Sequence, residues 1–103
     1  MMQKIESEKK QETIDINGAI TICDILNIHK KLLRSIEDKD AVSINLQDVD
    51  SCDTSGIQLL FSVLKTGEKK GKKLNLINVS EPIQETAKQI GVYQEILNGV
   101  YGE

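Results

Sequence analysis

The sequence predicts an α/β fold, in which strands alternate with helices and crossover connections bring parallel strands side by side. Short segments at 12–17, 41–46 and 74–79 have the apolar alternation or β-branched content of strands. Longer segments between them carry apolar residues at helical spacing, and glycines and charged clusters separate the two kinds of segment. At 103 residues the chain predicts one domain, over 1–103, that folds without metal or disulfide staples.

The first half of the chain predicts two strands around a long helix. Residues 1–10 are charged and weakly patterned, and we expect them to fray or to add a short edge strand. The strand at 12–17 ends at the turn signal Asn17-Gly18. An amphipathic helix of roughly four turns follows, and then the strand at 41–46 and a polar loop at 47–52. The apolar face of that helix is formed by Ile22, Ile25, Leu26, His29, Leu33 and Ile36.

The second half predicts two further helices and one strand. The central helix has apolar residues at i, i+3, i+4 and i+7 from Ile57, and it runs to about Lys70 with Gly71 as its C-cap. After the strand at 74–79, Ser80-Glu81-Pro82 has the composition of a helix start, and Gly91 ends that helix. Residues 92–97 fit a final strand or a helical turn equally well.

The chain is organised around Asp53-Thr54-Ser55-Gly56, where a loop becomes the central helix. Ser55 with Gln58 fits a capping box, and Asp53 or Thr54 fits the N-cap position as well. A helix start offers free backbone N–H groups and the positive end of the helix dipole, which favour a negative group. A phosphoryl group on either hydroxyl would be such a group, although most clusters of this composition only cap a helix.

The net charge and the distribution of apolar residues indicate the cellular location and the class of partner. The net charge of −3 and the pI near 5.2 argue against nucleic acid or an anionic membrane as partner. The sequence has no apolar run long enough to span a bilayer and no signal-peptide core at its polar N-terminus. We therefore expect a cytoplasmic protein without direct membrane insertion. Cys23 and Cys52 are expected to be small buried hydrophobic residues rather than a disulfide.

The residue pattern argues against an enzyme. His29 is the one histidine, it lies on the apolar helix face, and no partners for a triad or metal site stand at recognisable spacing. The sequence contains neither of the glycine-rich phosphate-binding motifs. Asp53-Thr54-Ser55-Gly56 departs from the Asp-Thr-Gly of dimeric aspartic proteases by the inserted Ser55, and helical periodicity follows it. We expect no catalytic residues, no metal and no cofactor.

The order of these segments resembles the STAS domain, the sulphate-transporter and anti-sigma-factor-antagonist family. The similarity covers about residues 11–97. It includes Ile16-Asn17-Gly18, the segment at 44–49, the motif at 53–57, the segment at 71–76 and Ile90-Gly91-Val92. Such segments in order at family-like spacing are fairly specific.

The resemblance implies a small mixed, mostly parallel sheet of four or five strands, with about four helices packed on one side. It also implies that a cognate serine/threonine kinase, often itself an anti-sigma factor, phosphorylates the residue after the motif Asp, which is Thr54 here. Unphosphorylated family members bind their partner, and phosphorylated ones release it until a phosphatase acts. Ser55 is the second choice of acceptor. Asp53, Ser55, Gly56, Gly18 and Thr21 are the expected partner-binding residues.

Two features distinguish this chain from typical antagonists. The antagonists often carry Ser where Thr54 stands in this chain. They also commonly have Gly-Glu-Leu-Asp where this chain has Gly18-Ala19-Ile20-Thr21. The motif followed by Gln58-Leu59-Leu60 also resembles STAS proteins linked to chemotaxis clusters and the STAS subunit of lipid-transporting ABC complexes. A constitutive subunit of such an assembly is therefore the alternative to a phosphorylation switch.

Overall fold

The α/β prediction is confirmed in the computed structural model, which describes residues 11–98. Five strands and four helices form the described part of the chain. Their order is β1 (Gln11–Asp15), β2 (Gly18–Ile20), α1 (Ile25–Asp38), β3 (Ala41–Asn45), β4 (Val49–Cys52), α2 (Thr54–Lys69), β5 (Lys73–Ile77), α3 (Glu81–Gln89) and α4 (Tyr93–Asn98). Residues 1–10, for which we expected fraying or an edge strand, lie outside the described residues.

The strands form two small parallel sheets that continue one another. One sheet has the order β1-β3-β5, with Ile14, Ile44 and Leu76 in register, and the other pairs β2 with β4. Between the sheets the Ile16 N–H donates to the Asn45 carbonyl at 3.1 Å and the Gly18 N–H donates to the Asp48 carbonyl at 3.0 Å. Residues 11–20 and 41–52 therefore run side by side, and the carboxyl ends of β2 and β4 lie together.

The strands β2 and β4 correct the sequence interpretation, which had a turn at 17–18 and a polar loop at 47–52. They are three and four residues long, which is too short for an alternating pattern to be recognised. Gly18 begins β2 at φ 85°, a left-handed conformation that glycine adopts without strain. The turn signal at Asn17-Gly18 thus marks a break between two collinear strands.

One face of the three-stranded sheet carries the core. In β3 the side chains of Val42 and Ile44 are buried; α1 packs against β3, and α2 packs against the neighbouring strand β5. Each such side chain contributes roughly 1.5–3 kcal/mol through burial. The opposite face presents Thr13, Ser43 and Asn75 in register. The helices accordingly cover one side of the sheet, as the resemblance implied.

The apolar face of α1 is rotated relative to its prediction. The helix begins at Ile25, so Ile22 precedes it in a turn, and Leu32 and Ile36 are the side chains it buries. Ile22 and Leu26 are 66% and 71% exposed. The apolar residues span a wider arc than α2 and the sheet cover, and the part of the arc that contains Leu26 faces solvent.

Two glycines end helices as the sequence predicts. The C-cap of α2 is Lys70, and Gly71 follows it at φ 73°. The Lys72 N–H donates to the Gly67 carbonyl at 2.8 Å, which completes a Schellman motif. Gly91 has the same role after α3, with φ 82°. The segment after Gly91, for which strand and helical turn were both open, is the helix α4.

Candidate functional site

The predicted motif lies where β2 and β4 end and α2 begins. Ile20, the last residue of β2, pairs with Cys52, the last residue of β4. Asp53 follows Cys52 and is the N-cap of α2, with an extended backbone at φ −119° and ψ −175°. The parallel pairing of the two strands therefore brings the turn after β2 against the first turn of α2.

The carboxylate of Asp53 connects these two segments. Its Oδ1 accepts the Gly56 N–H at 3.0 Å, which is the capping bond of α2. Its Oδ2 accepts the Ile22 N–H at 3.2 Å, from the turn that follows β2. One side chain thus caps the helix and holds the neighbouring turn. Ile22 was not predicted as a site residue because its spacing fits the apolar face of the predicted first helix.

Gly56 lets the helix start approach β2 closely. A Cβ atom at this position would clash with the backbone carbonyl oxygen of Ile20 and would lie 2.9 Å from Cys52 Sγ. The contact is with a strand backbone, which cannot move aside as a flexible side chain can. The absence of a side chain at Gly56 therefore sets how closely α2 packs on the end of β2.

Thr54 and Ser55 are the first two residues of α2, and neither is its N-cap. Thr54 is exposed and Ser55 is half-buried. Within residues 11–98 neither hydroxyl makes a hydrogen bond to another protein group. The capping box predicted for Ser55 with Gln58 is absent from this helix start because Asp53 supplies the cap. The Thr54 hydroxyl is therefore free to react without loss of a capping bond.

The two cysteines of the chain differ in burial, and the one next to the motif has a thiol that ionises only at high pH. Cys52 is half-buried, and Cys23 is exposed at the turn before α1; both are free thiols. The prediction that both are buried is therefore wrong for Cys23, which lies in the turn that precedes the helix. Burial, with the neighbouring Asp53 carboxylate, raises the pKa of the Cys52 thiol to about 11. The Cys52 carbonyl accepts a hydrogen bond from Thr86 Oγ1 at 2.9 Å, so α3 also supports this corner.

The remaining predicted partner-binding residues lie at different distances from Thr54. Thr21 directly follows Ile20, and its carbonyl accepts the Asp24 N–H at 2.9 Å in the turn that Asp53 holds. Gly18 begins β2, three residues from Thr21, which is roughly 10 Å along an extended chain. The structure therefore brings Asp53, Ser55, Gly56 and Thr21 together, and Gly18 lies at the far end of β2.

The site has an acidic border. The segments 11–29 and 41–64 supply its strands and turns, and neither contains a lysine or arginine. Asp24 and Asp50 are exposed on either side of the Asp53 corner. Among residues 11–98 no group of three histidine, cysteine or carboxylate side chains is arranged to hold a metal ion.

Comparison with protein families identifies the architecture. A family model of the STAS domain matches residues 4–102. The chain belongs to the STAS domain family. The resemblance found in the sequence is thereby confirmed, over a slightly longer range than the 11–97 it was based on. A search of curated proteins finds no match for this STAS domain.

Solved structures agree with this assignment at the level of the fold. The anti-sigma factor antagonist SpoIIAA in its unphosphorylated form is similar with a TM-score of 0.66 and 17% identity, covering 82% of this chain and 76% of that one. A sulfate transporter family protein from Wolinella succinogenes is similar with a TM-score of 0.63 and 19% identity, covering 84% and 70%. In the described part of this STAS domain, each helix is too short or too polar to cross a membrane.

Proposed function

We propose that this STAS domain is a protein–protein interaction module of a signalling pathway, and that phosphorylation of Thr54 controls its partner binding. The observation that carries the proposal is the state of the Thr54 hydroxyl. It is exposed at the first residue of a 16-residue helix, and the cap is supplied by Asp53 instead. A kinase can therefore reach the hydroxyl without unwinding α2.

A phosphoryl group at this position would change the charge of the surface with little change in the fold. It adds about −1.5 to −2 charges near neutral pH. The positive end of the α2 dipole and the free N–H groups of its first turn favour these charges. The Asp53 carboxylate opposes them, and it cannot turn away because it accepts bonds from Ile22 and Gly56.

The release of the partner follows from desolvation. A partner that covers unmodified Thr54 buries one small hydroxyl, whereas a partner that covers the phosphorylated residue must bury a dianion next to a carboxylate.

We propose that the partners are a cognate serine/threonine kinase or an anti-sigma factor, that a phosphatase reverses the modification, and that the protein acts in the cytoplasm in transcription regulation. The similarity in fold to the anti-sigma factor antagonist SpoIIAA supports this assignment.

The alternative is a constitutive subunit of a chemotaxis-linked assembly or a lipid-transporting ABC complex. The nearly equal similarity in fold to a sulfate transporter family protein favours this candidate. Under this alternative, Thr54 and Ser55 are simply the first residues of a helix, and the partner stays bound whatever the state of their hydroxyls.

Phosphosite mapping distinguishes the two proposals. The protein is isolated from its native cell, and mass spectrometry measures phosphate on Thr54 and Ser55, with Thr54→Ala and Ser55→Ala variants beside it. We expect phosphate on Thr54, its loss in Thr54→Ala and its retention in Ser55→Ala. Protein that is unmodified at Thr54 under all growth conditions would support the constitutive subunit.

We also propose that the protein has no enzymatic activity of its own. Its one histidine, His29, is half-buried on α1, and Thr54 and Ser55 have no base within hydrogen-bonding distance in the described residues. Purified protein should neither hydrolyse nucleotides nor transfer phosphoryl groups. An activity that Asp53→Ala abolishes would contradict this.

A further inference from the structure

An apolar groove lies beside the motif, between the starts of α1 and α2. Its volume is about 280 Å³. The residues that line it are Ile22, Ile25, His29, Ser55, Gln58, Leu59 and Ser62. Leu26 follows the lining residue Ile25 in α1 and is 71% exposed. Ile22 and Leu26 are two of the three large hydrophobic residues that are exposed in the described part of the chain. A contiguous exposed apolar patch commonly marks an interaction surface.

The size and lining of the groove indicate what it can hold. Small-molecule sites usually enclose about 300–1,000 Å³ and contain several polar groups that fix the ligand. This groove is smaller and open, and it is lined by no aspartate, glutamate, lysine or arginine. Its polar lining residues are His29, Ser55, Gln58 and Ser62, and the surface it exposes is mainly apolar. It fits one or two apolar side chains of another protein better than a metabolite, in the manner of a helix that places an apolar face in a groove.

The charges along the groove indicate which way a bound segment would be oriented. Asp24 is exposed at the end near Thr54, and it makes no side-chain capping bond to α1. Lys30 is exposed one helical turn beyond Leu26, and Lys65 is exposed two turns beyond Gln58. The groove is therefore acidic at the end where α1 and α2 begin and basic further along both helices.

We propose that the groove binds an amphipathic helix of the partner protein, which inserts a large apolar side chain between Ile22 and Leu59. The helix has acidic residues in its first turn, near Lys30 and Lys65, and basic residues in its last turn, near Asp24. This charge distribution also complements the dipole of the partner helix itself. The inference rests on the proposed function, because it names the chemistry of the partner that Thr54 controls.

The position of the groove explains how the two features act together. Ser55 lines the groove, and Ile22 is held at its edge by the hydrogen bond to Asp53. A helix seated in the groove therefore extends over the start of α2. It would cover Thr54, where a phosphoryl group would have to lose its hydration and would occupy space taken by the seated helix.

The test uses unphosphorylated protein and two synthetic peptides of roughly four helical turns, each held helical by a side-chain crosslink. Both carry the same central leucine; one has acidic residues first and basic residues last, and the other has the charges exchanged. Amide chemical shifts of the ¹⁵N-labelled protein report binding. We expect the first peptide to shift the amides of Ile22, His29 and Ser62, and to bind about threefold or more tightly than the exchanged peptide at low salt.

Variants provide the controls. Leu26→Ser should weaken binding about tenfold, whereas Ile90→Ser should leave it unchanged, because Ile90 is another exposed hydrophobic residue (40%) outside the groove. Asp24→Lys should reduce or reverse the preference between the peptides. Equal binding of both peptides, shifts located elsewhere, or no shifts at millimolar peptide would overturn the proposal. Because peptide binding is measured on unphosphorylated protein, its outcome does not depend on whether a kinase modifies Thr54 in the cell.

Discussion

The replacement of Asp53 by alanine should destabilise the protein more than the loss of either neighbouring hydroxyl. The change removes the capping bond to the Gly56 N–H, and the loss of a capping side chain costs about 0.5–2 kcal/mol. It also removes the acceptor of the Ile22 N–H, which is worth about 1 kcal/mol at an exposed site. Together these terms predict a loss of roughly 1.5–3 kcal/mol in the free energy of unfolding.

Denaturant unfolding followed by circular dichroism measures this loss, with Thr54→Ala and Ser55→Ala as matched controls. Neither hydroxyl makes a hydrogen bond in the described residues, so each control should change stability by less than about 0.5 kcal/mol. The loss of stability in Asp53→Asn should lie between that of Asp53→Ala and that of the controls, because the amide keeps one oxygen acceptor. Faster hydrogen exchange at the Ile22 amide in Asp53→Ala would identify the second bond. If Thr54→Ala costs as much as Asp53→Ala, the capping assignment is wrong.

Two further predictions concern the same corner. Gly56→Ala should destabilise the fold by about 1–3 kcal/mol despite the better helix propensity of alanine, whereas Ser62→Ala, at an exposed position of α2, should be nearly neutral in the same unfolding assay. Exposed Cys23 should be alkylated much faster than Cys52 near neutral pH, as mass spectrometry of iodoacetamide-treated protein can measure. In the folded protein Cys52 keeps its proton from its ordinary pKa of 9.0 up to about 11, while the unfolded thiol ionises, so stability should fall with rising pH in this window. Cys52→Ala should show a shallower fall, and an equal slope would contradict the burial of this thiol.

The elements that the sequence revealed are those with a repeating pattern. The strands β1, β3 and β5 each have five residues, and α2 buries residues at regular helical spacing. Their periodicity is visible without knowledge of the neighbours. The strands β2 and β4 are defined by their pairing with one another, which depends on how β1 and β3 place the two chain segments side by side. Such tertiary pairing leaves no local pattern in three or four residues.

The position of the motif at the start of α2 was predicted from the sequence, but its internal bonding was not. Asp53, Thr54 and Ser55 are all good helix caps, and the choice among them depends on where β4 ends. The exposure of Ile22 and Leu26 likewise depends on where α1 starts and how much of its apolar arc α2 covers. Composition and spacing identify candidates, and the lengths of the adjoining elements decide which of them form the bonds.

The central claim is tested most directly by the affinity of the partner for protein that carries phosphate on Thr54. Kinase-treated protein, verified by mass spectrometry, is compared with untreated protein and with kinase-treated Thr54→Ala in a titration calorimetry experiment with the purified partner. The proposed switch predicts that phosphorylation weakens binding at least about tenfold, since burial of a dianion beside Asp53 costs more than 1.4 kcal/mol. Treated and untreated Thr54→Ala should bind as tightly as the unmodified protein. Equal affinity of the phosphorylated and unphosphorylated forms would contradict the switch and leave a constitutive STAS subunit.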